Sequence, residues 1–250
     1  MLNILMPMAG RGKRFAEAGY TTPKPLIKVH GIPLTELVIR NITPSCKHRF
    51  IFACLQEHIN EFGFDEHLRR WAPGCVIIPI SQVTAGAACT ALLARQWIEN
   101  DDQLMIANCD QWVDINIDDY LKHMTDLSAD GLIMTMNADD PKWSYAGLNE
   151  DGMVTNVVEK EVISDQATVG IYNYAKGRYF CKAADTMIER KFQVNGEYYI
   201  APAYNVLIEQ SQKIVTYSVG SEFDGMYGLG TPYDLERFLK NPISTKAARR

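Results

Sequence analysis

An α/β fold, one mixed and mostly parallel sheet flanked by helices, is what these 250 residues predict. Three observations carry it. Short apolar runs alternate with helical patterns through the first half, the mark of right-handed βαβ units and a parallel sheet covered on both faces. A glycine-rich loop follows the first apolar run and opens a helix. The second half changes rhythm to strands separated by turns. The length suffices to bury a sizeable core. With no linker, repeat or low-complexity stretch, one continuous domain is expected over residues 1–243, and residues 244–250, which carry Lys246, Arg249 and Arg250, are expected to be a flexible polar tail.

In chain order, residues 2–6 read as a first buried strand and 33–41 as a helix. Residues 50–55 are a strand, 57–71 a helix, 76–80 a strand, 87–99 a helix and 103–107 a strand. Beyond these, 131–136, 146–148, 154–159 and 168–174 are strand-like, and Asn149-Glu150-Asp151-Gly152 is the turn of a hairpin. Helices are expected at 178–190 and 203–210, a strand at 214–218 and a last helix at 232–239.

Composition excludes several classes. Lys and Arg number 25 against 30 Asp and Glu, a net charge of -5, and the cations are dispersed; nucleic acid is not an expected partner. No stretch approaches the ~20 apolar residues of a membrane span, and the short apolar start precedes its basic residues, unlike a signal peptide. Cys46, Cys54, Cys75, Cys89, Cys109 and Cys181 form no CxxC pair, so no zinc site is expected. Most lie in apolar runs as reduced thiols, which implies a cytoplasmic protein. Oligomeric state has no signature in the sequence.

The first strand runs into Pro7-Met8-Ala9-Gly10-Arg11-Gly12-Lys13-Arg14-Phe15. Glycines let backbone N–H groups approach phosphate oxygens, and Arg11, Lys13 and Arg14 add cationic donors. A dinucleotide loop would need GxGxxG, but Phe15 occupies the third glycine position, and Pro23 and Pro25 end any helix early. A GxxxxGK[ST] P-loop is absent. A triphosphate loop of another kind remains. Lys24 sits between Pro23 and Pro25, which are expected to hold it in an extended segment as a fixed point charge for phosphates.

The loop Ala9-Gly10-x-Gly12-x-Arg14-Phe15 followed by Pro23-Lys24-Pro25-Leu26 resembles the signature of the sugar nucleotidyltransferase superfamily, the nucleoside-diphosphate-sugar pyrophosphorylases, including cytidylyltransferases that act on small phosphorylated metabolites. The resemblance spans almost the whole chain and implies a Rossmann-like, GT-A-like nucleotidyltransferase fold. It implies nucleotide binding by Met8, Ala9, Gly10, Arg11, Gly12 and Lys13, and by Gln82, Gly86 and Ala87. Gln82 offers a donor and an acceptor to a base edge, and Gly86 lets the base approach closely.

Asp110 follows the apolar strand at 103–107, where a carboxylate at the C-terminal edge points into the ligand crevice. It matches the family's Mg²⁺ ligand. The resemblance places the acceptor around Tyr145, Gly147, Glu159, Lys160, Gly170 and Tyr172, with Lys160 neutralising a phosphate and Glu159 holding hydroxyl or amine groups. Trp143, Tyr145 and Tyr172 are a candidate aromatic wall. Gly196-Glu197-Tyr198-Tyr199 is a weaker match. Two departures stand out: Glu161 replaces the proline after the Glu-Lys pair, and Gly228 stands where the family has a second metal-binding aspartate, with Asp224 four residues upstream as a possible substitute.

The expected reaction moves a nucleoside monophosphate from a triphosphate to a small phosphorylated acceptor, with Arg14, Lys24 and Asp110 as catalytic groups. A phosphate monoester is largely dianionic at neutral pH and needs no general base. That suits His30, His48, His58, His67 and His123, none of which has a paired motif. Similarity to capsule-associated cytidylyltransferases implies CTP and a role in surface polysaccharide, with dTTP or UTP as alternatives. A non-sugar acceptor such as phosphocholine or a phosphorylated amino-acid amide stays open. So do a GT-A glycosyltransferase, although Asn108-Cys109-Asp110 is not DxD, and a catalytically weak nucleotide-binding module.

Overall fold

The structure, a computed structural model, describes residues 1–249. The chain begins with β1 (Leu2–Met8) and a short helix α1 (Lys13–Glu17). A two-strand ribbon follows, β2 (Lys28–Val29) and β3 (Ile32–Pro33), then α2 (Leu34–Ile42). Three further βα steps are β4 (His48–Leu55) with α3 (Gln56–Phe62) and α4 (Phe64–Trp71), β5 (Val76–Ile80) with α5 (Ala87–Leu92) and α6 (Arg95–Ile98), and β6 (Gln103–Ala107) leading to β7 (Gln111–Val113) and α7 (Ile117–Asp126). The second half contains β8 (Gly131–Asn137), β9 (Ser144–Leu148), β10 (Val154–Glu159), β11 (Gln166–Tyr174), α8 (Gly177–Glu189), α9 (Tyr204–Glu209), β12 (Ile214–Glu222), β13 (Gly225–Gly228), α10 (Pro232–Lys240) and α11 (Ile243–Arg249).

One sheet unites both halves in the order β5-β4-β1-β6-β11-β8-β12-β13-β7. The block from β5 to β6 is parallel, and β11 then inserts antiparallel between β6 and β8. The β9–β10 hairpin hangs from β11 through Ala167 and Tyr145. Because the sheet crosses between the halves, they form one α/β domain. Strand alternation divides its core into two layers. Leu2, Ile4, Met6 and Met8 of β1 face the layer that holds α2, Trp112 and Phe238, whereas Leu5 faces the layer that holds Ala88, Ala91, Phe180 and Tyr204.

Several expectations need correction. β1 runs two residues further than expected, through Pro7 to Met8. The helix expected over 57–71 is broken at Gly63, whose φ of 59° places it in the left-handed region that ends helices, and the one expected over 87–99 is interrupted between α5 and α6. β7, α7 and β13 have no counterpart among the expected elements. The tail expected to fray is folded from Ile243 to Arg249. Asn241 accepts a hydrogen bond from the Ile243 N–H at 3.0 Å and starts the helix. Ser244 and Ala247 are each only 1% exposed, and Lys246 donates to Asp114 at 2.6 Å. Burial of one face outweighs the end-fraying expected of a short polar terminus; Arg250, also assigned to that tail, lies outside the described residues.

No helix among the described residues is long and apolar enough to cross a membrane. All six cysteines are free; Cys54 and Cys181 are buried, Cys75, Cys89 and Cys109 partly so, and Cys46 is exposed.

Candidate active site

The loop after β1 turns on Gly12, whose φ of 63° is the left-handed conformation a glycine adopts without strain. A Cβ there would lie 2.9 Å from the Lys24 Cβ, so the same glycine lets Lys24 close over the loop. α1 has only five residues, so its dipole adds little, and the site depends on backbone N–H groups and side-chain cations. Lys24 is not in an extended segment. Pro23 is extended, but Lys24–Leu26 form a 3-10 turn closed by Leu26 N–H to Pro23 carbonyl at 2.9 Å. Pro25 suits the first turn of a helix, where its missing N–H is not needed.

The turn directs Lys24 Nζ onto Asp110 Oδ2 in a short ion pair. Asp110 lies between β6 and β7, with its backbone carbonyl fixed by the Leu229 N–H at 2.7 Å. Burial alone would raise the Asp110 carboxyl, but the Lys24 charge and hydrogen bond, together with Arg14, hold it below the usual carboxylate range. Burial likewise disfavours charge on Lys24, and Asp110 more than restores it. Gly230 admits this carboxylate: a Cβ there would stand 3.0 Å from Asp110 Oδ2. Burial pushes the neighbouring Cys109 thiol up to about 11, which disfavours its thiolate at neutral pH.

Two cavities meet here. The first, about 560 Å³, is walled by Met8, Gly10, Gly12, Lys13, Arg14, Lys24, Asp110 and Glu197. The second, about 320 Å³, is walled by Trp143, Ser144, Glu159, Lys160, Gly170, Tyr172 and Tyr199. Arg14 and Asn108 line both. Gly170, at φ 81°, brings β11 against Asn108, whose side-chain amide occupies the space a Cβ would need; the Asn108 N–H donates to the Gly170 carbonyl at 2.9 Å. In the second cavity Glu159 accepts from Ser144 Oγ, and burial raises its carboxyl. Tyr172 OH shares a 2.9 Å hydrogen bond with Thr168. Lys160 Nζ donates to Tyr199 OH at 2.7 Å, which raises the ammonium's pKa. Trp143 Nε1 is buried without a partner among the described residues.

The other expected site residues lie elsewhere. Tyr145 is fully buried, with its hydroxyl donating to the Asp140 carbonyl at 2.8 Å, so it is a core residue rather than part of the acceptor wall. Gly147 faces the Asn156 side chain, which fills the space a Cβ would take, and lies outside the cavity. Ala9 is 8% exposed and packs with Ala53, Leu55 and Ile80. Arg11 turns away to Glu57 at 3.6 Å and lines a separate hollow. Gln82 is exposed and lines neither cavity. Gly86 is needed for a different close approach than a base: a Cβ would meet the Tyr198 carbonyl oxygen at 2.5 Å. Ala87 lines the second cavity instead of the first. Gly228 stands near Asp234, and Asp224 closes a turn with Ser221 away from the cavities. Asn108, Ser144 and Thr168 line the second cavity without being among the site residues the sequence points to, and Tyr199, from the weaker match at 196–199, joins them; Thr168 and Tyr172 carry a signal, since both lie on one face of a strand.

Among the described residues no three His, Cys, Asp or Glu side chains cluster as a metal cage. A single ionised carboxylate facing a roomy polar cavity still fits Mg²⁺, which takes one or two carboxylates and fills its other positions with phosphate oxygens and water.

Residues 3–213 match the nucleotidyl transferase family model. Among curated proteins the chain is 24% identical over 254 aligned positions to the bifunctional protein GlmU of Methanococcus maripaludis, covering 97% of this chain and 56% of that one. The chain thus spans little more than half the length of that relative. Among solved structures it is similar to a nucleoside-diphosphate-sugar pyrophosphorylase from Vibrio cholerae, with a TM-score of 0.80, 24% identity, and coverage of 95% of this chain and 100% of the other. The inositol-1-phosphate CTP transferase of T. maritima superposes with a TM-score of 0.72 at 13% identity, covering 99% and 95%.

Proposed function

The chain belongs to the nucleotidyl transferase family, and from that premise we propose that it joins a nucleoside monophosphate, taken from a triphosphate, to a small sugar phosphate. The observation that carries the reading is the meeting of two cavities at Arg14 and Asn108, one walled by the glycine-rich loop, Lys24 and Asp110, the other by Glu159 and Lys160. The first has the cations and backbone turn for a triphosphate; the second has Lys160, beside Arg14 and Lys142, for a phosphate and hydrogen-bonding groups for hydroxyls.

In the proposed reaction an acceptor phosphate oxygen forms a bond to the α-phosphorus, and the bond from that phosphorus to the bridging oxygen of the β-phosphate breaks. Pyrophosphate leaves with the electron pair. The dianionic acceptor needs no base, so catalysis is positioning and charge neutralisation. Arg14, shared by both cavities, can hold the two phosphates against their mutual repulsion. Lys24 exchanges Asp110 for triphosphate oxygens. Asp110 is the residue to hold Mg²⁺, which would neutralise triphosphate charge when bound.

The second cavity favours a polyhydroxylated acceptor over a cationic one. Two of its aromatic faces already carry this chain's own ammonium groups: Lys142 over Trp143 at 4.9 Å and Lys160 over Tyr199 at 4.8 Å. A choline-like headgroup would have to displace them. The resemblance to capsule-associated cytidylyltransferases supports CTP and a product used in surface polysaccharide. The test is pyrophosphate release with CTP, dTTP and UTP against a panel of sugar phosphates, phosphocholine and phosphorylated amino-acid amides. Acceptor-dependent release supports the reading. Inertness toward every triphosphate, with turnover of nucleotide sugars, would replace it with glycosyl transfer.

A further inference from the structure

Lys160 leaves the end of β10 in the left-handed region, at φ 59°, with its N–H donating to the Trp143 carbonyl at 3.0 Å. For a non-glycine residue this conformation is costly and persists only where the surroundings enforce it. It turns the side chain toward the segment after α8. There Tyr199 OH accepts from Lys160 Nζ at 2.7 Å and donates to Glu197 Oε2 at 2.6 Å, while its ring lies 4.8 Å from the ammonium. An ammonium has three donors. Among the described residues Tyr199 is the one hydrogen-bond partner of Lys160 Nζ, so two N–H groups remain for a ligand. Lys160 and Tyr199 line the second cavity and Glu197 the first.

We propose that Tyr199 is a positioning residue for the acceptor: anchored by Glu197, it holds the Lys160 ammonium in the orientation that receives the acceptor phosphate. This rests on the reading above that the second cavity takes a phosphorylated acceptor. A free lysine side chain loses rotamer entropy when it binds; one already held by a hydrogen bond to a phenol has lost much of that freedom beforehand. The carboxylate of Glu197 orients the phenol proton away from the ammonium, so that the oxygen presents its lone pair to Lys160.

The test has two arms. In the first, Y199F is assayed with the best acceptor. Removing one charge-assisted hydrogen bond should raise the acceptor KM about tenfold while kcat falls less than about threefold and the nucleotide KM stays within about twofold. In a K160M background the Y199F effect should vanish, because Tyr199 acts only through Lys160. An unchanged acceptor KM in Y199F, or an equal loss in the K160M background, overturns the proposal.

The second arm needs no turnover. Competitive acetylation by acetic anhydride, read by mass spectrometry, reports how tightly the ammonium is held, since hydrogen bonding to the charged form disfavours the reactive neutral amine. Lys160 should react about threefold faster in Y199F and about twofold faster in E197Q than in the wild type. Equal rates in all three overturn the proposal. E197Q, at an exposed position, serves should Y199F fail to fold. If the wild type releases no pyrophosphate with any acceptor, the proposed function fails, and the labelling arm still decides whether Tyr199 holds Lys160.

Discussion

Lys24 and Asp110, 86 residues apart in the chain, are joined ammonium to carboxylate on the wall of the larger cavity. Each satisfies the other while both are only partly exposed, and the pair keeps the carboxylate ionised at a position facing the cavity. Lys24→Ala and Asp110→Ala should each lower turnover by about a hundredfold or more, the scale seen when one preorganised charge-stabilising group is removed. Both should keep their circular dichroism. Near-wild-type pyrophosphate release by either folded variant would contradict the roles assigned.

The same pair sets a pH dependence of stability. The Asp110 carboxyl is depressed in the folded protein relative to the unfolded chain. Its contribution is therefore present above the unfolded carboxylate pKa and is lost as pH falls through the folded value. Thermal melts of wild type and Asp110→Asn should differ most at pH 6 and converge as pH falls below the usual carboxylate range. A difference that stays constant with pH would show that ionisation of Asp110 does not contribute.

Glu159 has the opposite sign. Burial raises its carboxyl, so the folded state holds the proton more tightly than the unfolded chain and loses stability as pH rises through the interval between the two values. Glu159→Gln keeps an oxygen to accept from Ser144. It should melt higher than wild type at pH 7, with the gain absent at pH 3.5, and should bind the acceptor less well. That is the trade-off expected of a group retained for recognition. A lower melting temperature at pH 7 would contradict this account of Glu159.

Gly12 and Gly10 separate backbone need from composition. Gly12→Ala forces a side chain into φ 63° and against the Lys24 Cβ, and should cost about 1–3 kcal/mol and displace Lys24. A Cβ on Gly10 would meet nothing within 4 Å, so Gly10→Ala should leave the melting temperature nearly unchanged. Equal melting temperatures for the two variants would show that the turn at Gly12 is not strained by a side chain.

The loop and Lys24 are legible in the sequence because their chemistry is local: glycines, cations and flanking prolines act within a few residues. The acceptor side is less so. Ser144 and Tyr145 are neighbours on one strand and therefore point to opposite faces. The β9–β10 register pairs Ser144 with Glu159, placing both at the cavity and turning Tyr145 into the core. Nothing in the sequence alone fixes that parity. α7 does carry a signal: Ile117, Tyr120 and Met124 are buried at helical spacing behind the N-cap Asn116, whose side chain accepts from the Asp118 N–H. The fold of residues 243–249 has only the local cap at Asn241, since the rest depends on burial against distant elements.

The central claim is that the loop after β1 and Lys24 enclose a triphosphate. A crystal structure with a non-hydrolysable α,β-methylene triphosphate and Mg²⁺ tests it most directly. The account predicts phosphate oxygens within hydrogen-bond distance of Lys24 and Arg14, beside Gly10 and Gly12, with Asp110 released from Lys24. A nucleotide bound elsewhere, or one bound here with the Lys24–Asp110 pair still closed, would contradict it.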